Sequence, residues 1–518
     1  MIVNQRHRVL VLHLRDPSSV LNLIPTAKPL IHKGRELTVV PHRLEETKLL
    51  TNLGLKPPHP VDYHYDWPGQ FKPLDAQRQT VRFLTLHSRA YCLSEMGTGK
   101  SLSSLWAFDF LRSQGQANKL LVIAPLSTLE RTWGDELFNH FPHLNFHVLH
   151  GSAQRRKLLL SDTTVDVYII NHDGVQVIQE DLQKRHDLDT VIIDELSHVA
   201  RNSQTLRWKS LRALTGNRAR IWGMTGTPTP NAPTDAWAQA RLLTPSTVPS
   251  FFSHFRDTVM RQTSTYNWII KDEANDIVHQ ALQPAIRFKR DDCIDLPPMT
   301  HETREVALTK DQKAVFDQMV SLLYAEYQGG AISAVNEAVK AMKLVQVALG
   351  SVIGADGTII SIPSKPRVQE LLTIIEDAAS KVIVFVPFKS ALKALHAEIS
   401  KHHTAEMIYG EVSKTDRDRI LGAFQKEADP QVLIAQPAAM SHGLTLTAAS
   451  VIVWFAPITS AETYEQANAR ITRPGQKLNQ LIVHIQGSKL EARMYDRLKR
   501  KVSMQGALLD MFRDRQSI

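Results

Sequence analysis

A short glycine-containing segment is the part of this sequence best suited to bind phosphate. It comprises Met96, Gly97, Thr98, Gly99, Lys100 and Ser101. Glycines let consecutive backbone N–H groups point at phosphate oxygens, a lysine at this spacing reaches the outer phosphates of a nucleotide, and a serine hydroxyl can ligate Mg²⁺. The helical stretch that follows would place the anion at a helix N-terminus. Because Ser94 occupies the first glycine position of the strict consensus, an ordinary glycine turn is the alternative.

An acidic pair, Asp194–Glu195, closes the apolar run TVII further along the chain. A buried strand of this kind ends at the carboxyl edge of a parallel sheet, where ligands bind. There Asp194 can hold Mg²⁺, directly or through water, and Glu195 can polarise an attacking water. Helix capping or surface solvation is the alternative for a lone acidic pair. Its position after a phosphate loop favours the catalytic interpretation.

Two arginines, Arg470 and Arg473, are three residues apart near the end of the chain. On a helix this spacing would place them on one face. Guanidinium groups aimed at a γ-phosphate stabilise the charge of a loose phosphoryl-transfer transition state. Taken alone, two arginines at this spacing are usually solvated, so their interpretation depends on the surrounding sequence.

Short apolar runs alternate with helical stretches in two blocks and would position these groups. Runs typical of buried parallel strands occupy 120–125, 167–171, 190–195 and 220–226, and then 381–387, 405–410, 431–436, 451–457 and 481–486. This alternation predicts an α/β protein with two doubly wound parallel-sheet lobes. The predicted organisation is a small N-terminal accessory domain (1–70), a first lobe (71–245), a helical insertion or linker (246–364) and a second lobe with a basic C-terminal helix (365–518).

Composition sets wider limits on partners and compartment. The 518 residues carry 22% charged residues and a formal net charge of +9, which permits a polyanionic partner without proving one. Residues 466–518 are basic, with eleven lysines and arginines against four acidic residues. This charge has two interpretations, a solvated basic helix or a surface that tracks phosphates. The two cysteines, Cys92 and Cys293, exclude a disulfide framework or a cysteine metal cluster. This cysteine usage favours a reducing, cytoplasmic compartment. Since no apolar run would span a bilayer, we also expect a non-membrane protein.

The order of the segments resembles superfamily-two helicases, specifically the Swi/Snf-type DNA translocases in their compact bacterial or bacteriophage form. The segments that carry the resemblance are FKPLDAQ (71–77), SEMGTGKS (94–101), LVIAPLSTLERTWGDEL (121–137), DELSHVARN (194–202), MTGTPTPN (224–231), FKRDDCIDLPPMT (288–300), AAMSHGLTLTAASVIVWFAP (438–457) and QANARITRPGQ (466–476). The resemblance covers about residues 70–486 and implies two RecA-like lobes with ATP and Mg²⁺ in the cleft between them.

The resemblance also implies roles for individual residues. It assigns catalysis to Lys100, Asp194, Glu195, Arg470 and Arg473. Ser101 and Asp194 would be the side-chain ligands of Mg²⁺. The residues that it assigns to nucleotide binding are Gln77, Met96, Gly97, Thr98, Gly99, Lys100, Ser101, Gly443 and Gln466. Of these, Gln77 would contact the adenine base and Gln466 would sense the nucleotide state. Thr225, Gly226 and Thr227 would couple ATP to lobe movement. Departures from the family pattern at Leu196, Ser197, Met440, Ser441, Thr445 and Thr472 affect fine coupling and backbone contacts.

Contacts to nucleic acid are expected from hydroxyl, amide and cationic side chains that reach backbone phosphates. The candidates are Ser127, Thr128, Arg201, Asn202, Ser441 and Thr445. Such contacts carry little sequence information, so binding should be sequence-independent. Tyr63, Tyr65 and Trp67 precede Gln77 and have two interpretations, stacking on adenine or packing against the first lobe.

Three functions remain open at this point. The first is an ATP-dependent translocase on double-stranded or branched DNA. The second is a strand-unwinding, branch-migrating or annealing helicase. The third is a non-catalytic nucleic-acid-binding scaffold. The intact set of candidate catalytic residues argues against it: Lys100, Asp194, Glu195, Arg470 and Arg473. The sequence leaves the oligomeric state, the pathway and the role of residues 1–70 undetermined.

Overall fold

A computed structural model places most of the chain. It describes residues 1–264, 267–293, 297–328, 334–353, 359–440, 446–473 and 475–500. The chain divides into two compact units, Met1–Cys293 and Ile294–Ile518. Over the described ranges, no helix is long and apolar enough to cross a membrane.

A small antiparallel sheet begins the first unit. Its strands are β1 (Ile2–Asn4), β2 (Val9–Leu12), β3 (Lys28–His32) and β4 (Arg35–Pro41), in the order β1-β2-β4-β3. Helices α1 (Ser18–Leu23) and α2 (Leu44–Asn52) cover one face, on which Leu10, Leu12 and Val40 are buried. These alternate positions follow the two-residue period of a strand. The short helix α3 (Val61–His64) comes next.

A parallel sheet forms the centre of the first unit. Its strands, together with the separate hairpin β11–β12, are β5 (Arg89–Cys92), β6 (Leu120–Ala124), β7 (Phe146–Leu149), β8 (Val167–Asn171), β9 (Thr190–Asp194), β10 (Arg220–Met224), β11 (Met260–Ser264), β12 (Asn267–Ile270) and β13 (Ala285–Ile286). Within the described residues, the order in this sheet is β13-β5-β10-β9-β6-β8-β7, with every pairing parallel.

Helices surround this sheet. They are α4 (Asp75–Leu86), α5 (Lys100–Ser113), α6 (Asp135–His140), α7 (Ala153–Ser161), α8 (Gly174–Val177), α9 (Gln179–Lys184), α10 (Leu196–Val199), α11 (Leu206–Thr215), α12 (Asp235–Leu243), α13 (Phe252–Val259) and α14 (Ala274–Ala281). On β6, Leu121 and Ile123 point into one hydrophobic core, whereas Leu120 and Val122 point into the other. Both faces of the sheet are therefore covered, which explains the uninterrupted apolar runs of its strands.

The second unit has its own parallel sheet. Its strands, with the separate pair β15–β16, are β14 (Met299–Glu305), β15 (Ser351–Ile353), β16 (Ile359–Ser361), β17 (Lys381–Phe385), β18 (Ala405–Ile408), β19 (Val432–Ala435), β20 (Ala449–Trp454) and β21 (Gln480–Gln486). The helices are α15 (Lys310–Gln328), α16 (Ala334–Ala348), α17 (Lys365–Asp377), α18 (Lys389–Ile399), α19 (Lys414–Lys426), α20 (Ala461–Asn468) and α21 (Lys489–Lys499). In the part of the unit that the structure describes, the sheet order is β14-β21-β20-β17-β19-β18.

The predicted fold class, two doubly wound α/β lobes, is confirmed, and all nine predicted strands are present. The range 246–364, for which the sequence predicts a helical segment, also contains strands. One of them, β14, pairs in parallel with β21 from Met299 opposite Gln480 to Glu305 opposite Gln486. Its sequence, MTHETRE, is mostly polar because β14 is a half-exposed edge strand, so it lacks the apolar run of a central strand. The predicted domain boundaries stay predictions.

Candidate nucleotide-binding site

The glycine segment forms a turn between β5 and α5. Gly97 and Gly99 have φ angles of 86° and 77°, in the left-handed region that side chains other than glycine rarely adopt. Gly99 is the N-cap of α5, so Lys100 and Ser101 are its first helical residues. The segment therefore has the backbone conformation and the helix N-terminus that phosphate binding requires.

Lys100 is held across this turn. Its Nζ donates hydrogen bonds to the carbonyl oxygens of Ser94 (2.8 Å) and Glu95 (3.0 Å). The hydroxyl of Thr98 donates to the carbonyl oxygen of Glu95 at 2.8 Å and closes the turn further. The ammonium group thus lies inside the loop, where a phosphate oxygen would compete with these carbonyls for its protons.

Gln77, the first residue of the site in sequence, is buried on α4 and lies directly against the loop. A Cβ built on Gly99 would collide with the amide nitrogen of Gln77. The Gln77 carbonyl oxygen accepts a hydrogen bond from the backbone N–H of Leu74 at 2.8 Å, which fixes the orientation of the amide. Gly99 is needed here for its lack of a side chain as well as for its φ angle.

Asp194 is the last residue of β9 and Glu195 follows it at the carboxyl edge of the sheet, as the sequence predicts. Burial raises the pKa of the Asp194 carboxyl, while the indole N–H of Trp133 and the Lys100 ammonium act in the opposite direction. Glu195 has φ 50° and ψ 49°, a left-handed conformation that costs about 1–2 kcal/mol for a residue other than glycine. Strain of this kind concentrates at functional sites.

The donor set at this edge fits Mg²⁺ bound together with a nucleotide. Among the described residues, no cluster of three or more His, Cys, Asp or Glu side chains could hold a metal by itself. Mg²⁺ in nucleotide sites is usually held by one or two side-chain oxygens plus substrate phosphates and water. Asp194 and Ser101 would supply the side-chain oxygens, and the remaining ligands would come from phosphate and water.

The coupling segment Thr225–Thr227 lies beside the phosphate loop. A Cβ built on Gly226 would be 3.7 Å from the backbone nitrogen of Met96 and from the carbonyl oxygen of Ser94. The Thr225 hydroxyl lies 2.8 Å from the hydroxyl of Ser197. Ser197 follows Leu196, the residue after the acidic pair. Ser197, a departure from the family pattern, therefore links the acidic segment to the coupling segment.

Ser94, which occupies the first glycine position of the strict consensus, also has a structural role. Its hydroxyl accepts a hydrogen bond from the backbone N–H of Phe288 at 3.1 Å. The same stretch of chain continues from β13, and the Glu95 N–H donates to the carbonyl oxygen of Phe288 at 3.0 Å. A glycine at position 94 would lose the first of these bonds.

Trp133 is a site residue to which the sequence analysis gives no role. It is fully buried in a π-helical turn, Leu129–Gly134, which directly follows the 3₁₀ turn Leu126–Thr128. Its indole N–H donates to Oδ2 of Asp194 at 3.1 Å, and the Glu195 N–H donates to Oδ1 at 3.0 Å. His172, whose pKa is lowered by burial to about 4, donates from Nε2 to the Asp194 carbonyl oxygen at 2.9 Å. Two donors thus fix the carboxylate predicted to bind the metal, and a third fixes the backbone of the same residue.

The substitution Trp133→Phe should raise the Mg²⁺ concentration needed for half-maximal ATP hydrolysis by roughly 10–100-fold, the usual effect of removing a partner that orients a metal ligand. Phenylalanine keeps most of the buried apolar volume but cannot donate to Asp194. The measurement is a Mg²⁺ titration of ATPase activity, with nucleotide affinity measured in parallel. Trp106→Phe is the matched control, because Trp106 donates to the carbonyl oxygen of Pro68. Equal Mg²⁺ requirements in the two variants would contradict this role.

The predicted residues of the second unit lie around the end of α20. Gln466 is buried on this helix, and its amide donates to Glu462 at 3.3 Å. Arg470 is fully buried, and Arg473 is half-buried with Nε donating to the carbonyl oxygen of Ala469 at 3.0 Å.

The expectation that Arg470 and Arg473 share a helix face is wrong. Helix α20 ends at Asn468 with Ala469 as its C-cap, so both arginines lie in the turn that follows. Beyond Asn468 the Arg470 N–H bonds to the carbonyl oxygen of Ala467, three residues back, in place of the four-residue spacing of an α-helix. The two arginines are therefore oriented by the turn, not by the period of a helix.

The candidate nucleic-acid contacts have different surroundings. Ser127 is exposed, whereas Thr128 is buried with its hydroxyl donating to the carbonyl oxygen of Pro125 at 2.9 Å. Arg201 is half-buried, and Asn202 is exposed with its side chain accepting from the Gln204 N–H at 2.8 Å. Ser441, Gly443 and Thr445 lie outside the described residues.

Two of the three aromatic residues before Gln77 pack against the first lobe. The Tyr65 hydroxyl donates to Asp109 of α5 at 2.7 Å. The ring of Trp67 meets that of Trp106, also on α5, edge-on at 5.6 Å. The packing alternative thus describes both residues. Tyr63 is partly exposed and its ring lies 5.6 Å from that of His42.

Two protein families match this chain. The SNF2-related domain family matches residues 77–351, more than half of the chain, and the helicase conserved C-terminal domain family matches residues 366–475. The first match includes Gln77, the phosphate loop, the acidic pair and the coupling segment. The second includes Gln466, Arg470 and Arg473.

Individual relatives are more distant. Protein p41 of Acyrthosiphon pisum secondary endosymbiont phage 1 is 26% identical over 427 residues, which are 78% of this chain and 90% of that protein. The DNA annealing helicase and endonuclease ZRANB3 of Homo sapiens is 24% identical over 462 residues, which are 85% of this chain but 40% of ZRANB3. This chain therefore corresponds to less than half of the human protein.

A solved structure similar to this chain is the Sulfolobus solfataricus SWI2/SNF2 ATPase core in complex with dsDNA. It is 22% identical, has a TM-score of 0.41, and the match covers 84% of this chain and 92% of the other. The family matches establish the relationship: this chain belongs to the SNF2-related, Swi/Snf-type family of superfamily-two helicase-like ATPases.

Proposed function

We propose that this protein binds ATP with Mg²⁺ at the site on the first unit and uses hydrolysis to move along double-stranded DNA, without necessarily separating the strands. The observation that carries the proposal is the arrangement at one edge of one sheet. The coupling segment Thr225–Thr227 lies against the phosphate loop there, and the hydrogen bond between Ser197 and Thr225 joins it to the segment that carries Asp194 and Glu195.

Each group has a chemical task in this proposal. Lys100 and the N–H groups of the loop bind the phosphates, and Gln77 contacts the adenine base. The carboxylate of Glu195 orients and polarises the attacking water. Bound Mg²⁺ neutralises charge on the phosphates. Arg470 and Arg473 stabilise the charge that develops in the transition state.

Coupling to movement would run through contacts that join the site to its neighbouring loops. The Ser197–Thr225 hydrogen bond connects the acidic pair to the coupling segment. The Trp133–Asp194 hydrogen bond connects the metal ligand to the π-helical turn Leu129–Gly134, which directly follows the turn that carries Ser127 and Thr128, the proposed backbone contacts. A shift of Ser127 and Thr128 on DNA would therefore reach the carboxylate through Trp133.

DNA is the proposed partner because the chain contains a helicase conserved C-terminal domain and its relative ZRANB3 is named a DNA annealing helicase. Annealing of separated strands is the second candidate function, which the name of ZRANB3 favours.

ATPase rates with duplex DNA, single-stranded DNA, branched DNA and RNA, each at the same nucleotide concentration, test the proposal. We expect duplex and branched DNA to stimulate hydrolysis and RNA to have little effect. Stimulation by RNA alone would overturn the proposed substrate, and the absence of stimulation by any nucleic acid would overturn the proposed function. Faster pairing of complementary strands in the presence of the protein and ATP would favour the second candidate.

Affinity for duplex DNA should fall as salt increases, with little dependence on sequence. Contacts to backbone phosphates release bound counterions, so the logarithm of the affinity decreases linearly with the logarithm of the salt concentration. Fluorescence anisotropy with two unrelated duplexes over a salt series measures this. A salt-insensitive affinity, or a strong preference for one duplex, would contradict backbone recognition.

A further inference from the structure

The β1–β4 sheet at the start of the chain carries a concentrated positive charge that the ATPase site does not use. Residues 1–43 contain seven lysines and arginines against two acidic residues, Asp16 and Glu36, a net charge of +5. The seven cations are Arg6, Arg8, Arg15, Lys28, Lys33, Arg35 and Arg43. All seven are exposed, and no ion pair involves any of them within the part of the chain that the structure describes.

Two of these cations occupy backbone positions that are unfavourable for them. Lys33 and Gly34 form the two-residue turn between β3 and β4, with φ angles of 51° and 73°. Asparagine followed by glycine is the favoured pair in such a turn. Arg8 ends the turn between β1 and β2 and has a φ angle of 52°. A long cationic side chain is therefore kept in the left-handed region at both hairpin turns, where asparagine or glycine would cause less strain.

The two turns lie at opposite ends of the sheet. The Arg8 turn precedes Val9, which pairs with Pro41 at the end of β4, whereas the Lys33 turn precedes Arg35 at the start of β4. Seven residues of extended chain span about 23 Å. Along a duplex this is roughly six or seven base pairs at 3.4 Å per pair. The spacing suits a polyanion with regularly repeated charges.

We propose that the β1–β4 sheet is a separate contact surface for the phosphate backbone of duplex DNA, with Arg8 and Lys33 as its two anchoring cations. Unpaired exposed cations gain most from a partner that releases counterions on binding. The proposal rests on the proposed function, because it takes duplex DNA as the molecule on which the ATPase acts. Contact at this sheet would lengthen the time the protein stays bound to DNA.

The double variant Arg8→Asn/Lys33→Asn in the full chain tests the proposal. Asparagine tolerates the left-handed conformation, so this change removes two charges while preserving both turns. Each lost phosphate contact lowers the salt slope of the binding constant by about 0.9, so two lower it by about 1.8. Between about 50 and 200 mM salt, wild type should then lose about tenfold more affinity for duplex DNA than the variant.

Three comparisons define the outcome. The variant Arg8→Lys/Lys33→Arg should keep the wild-type salt slope because it keeps both charges. Lys401→Asn, which removes an exposed lysine paired with Glu398 in the second unit, should also leave the slope unchanged. The melting temperature of the asparagine double variant should be no lower than that of wild type, and its DNA-independent ATPase rate should equal that of wild type.

A wild-type salt slope and affinity in the asparagine double variant would overturn the proposal, and the sheet would then serve another partner, such as an acidic protein. This failure is distinguishable from failure of the proposed function. If only the proposal for the sheet fails, DNA stimulates the wild-type ATPase and the asparagine double variant behaves like wild type. If the proposed function fails, DNA does not stimulate the wild-type ATPase.

Discussion

Replacing Glu195 with glutamine is expected to lower ATP turnover by roughly 10²–10⁴-fold, the range that a general base contributes. Glutamine has the same length and can occupy the same position at the end of β9, but it cannot accept a proton from the attacking water. Since the phosphate loop and Lys100 are unchanged, nucleotide affinity should stay close to that of wild type. The left-handed conformation of Glu195 is consistent with a residue whose side-chain position matters more than its conformational energy.

Single-turnover hydrolysis and binding of a fluorescent ATP analogue separate these two effects. Glu180→Gln is the matched control, since Glu180 is an exposed glutamate on α9 of the same unit. The control should hydrolyse ATP at the wild-type rate. Turnover by Glu195→Gln equal to that of the control would remove Glu195 from the catalytic residues.

Replacing Arg473 with alanine is expected to lower kcat by about 10³-fold or more, as for an arginine that stabilises the transition state of phosphoryl transfer. Arg473 is half-buried in the turn after α20, so truncation should disturb packing less than truncation of the fully buried Arg470. Arg473→Lys should recover only part of the rate, because an ammonium group lacks the planar pair of donors.

The measurement is kcat at saturating ATP, with the melting temperature recorded for each variant. Arg419→Ala, which removes an exposed arginine 3.6 Å from Glu406 in the same unit, is the matched control. If Arg473→Ala and Arg419→Ala have the same kcat, the role assigned to Arg473 is wrong. If Arg473→Ala lost activity only because the protein became less stable, its melting temperature would fall and cooling would restore the activity.

The central strands and the phosphate loop could be predicted because their physical signals are local. A strand covered on both faces is apolar at every position, as in β6 and β20, and two positive-φ glycines before Lys100 fix the loop. The edge strand β14 is mostly polar and its pairing with β21 joins distant parts of the chain. No local pattern predicts such a pairing.

Contacts between distant segments also could not be predicted from the sequence. The Trp133–Asp194 and Ser197–Thr225 hydrogen bonds join residues 61 and 28 positions apart, and no local pattern shows that these residues are partners. The position of Arg470 and Arg473 after α20 was also missed. Pro474 disfavours a helical conformation only at the residue before it, which does not account for a helix that ends at Asn468.

Displacement of a DNA third strand from a triplex is the measurement that tests ATP-driven movement along duplex DNA most directly, because it requires no separation of the duplex strands. Wild type with ATP and Mg²⁺ should displace the third strand, whereas Glu195→Gln, or wild type with ADP, should not. DNA-stimulated ATP hydrolysis without any displacement would contradict the account.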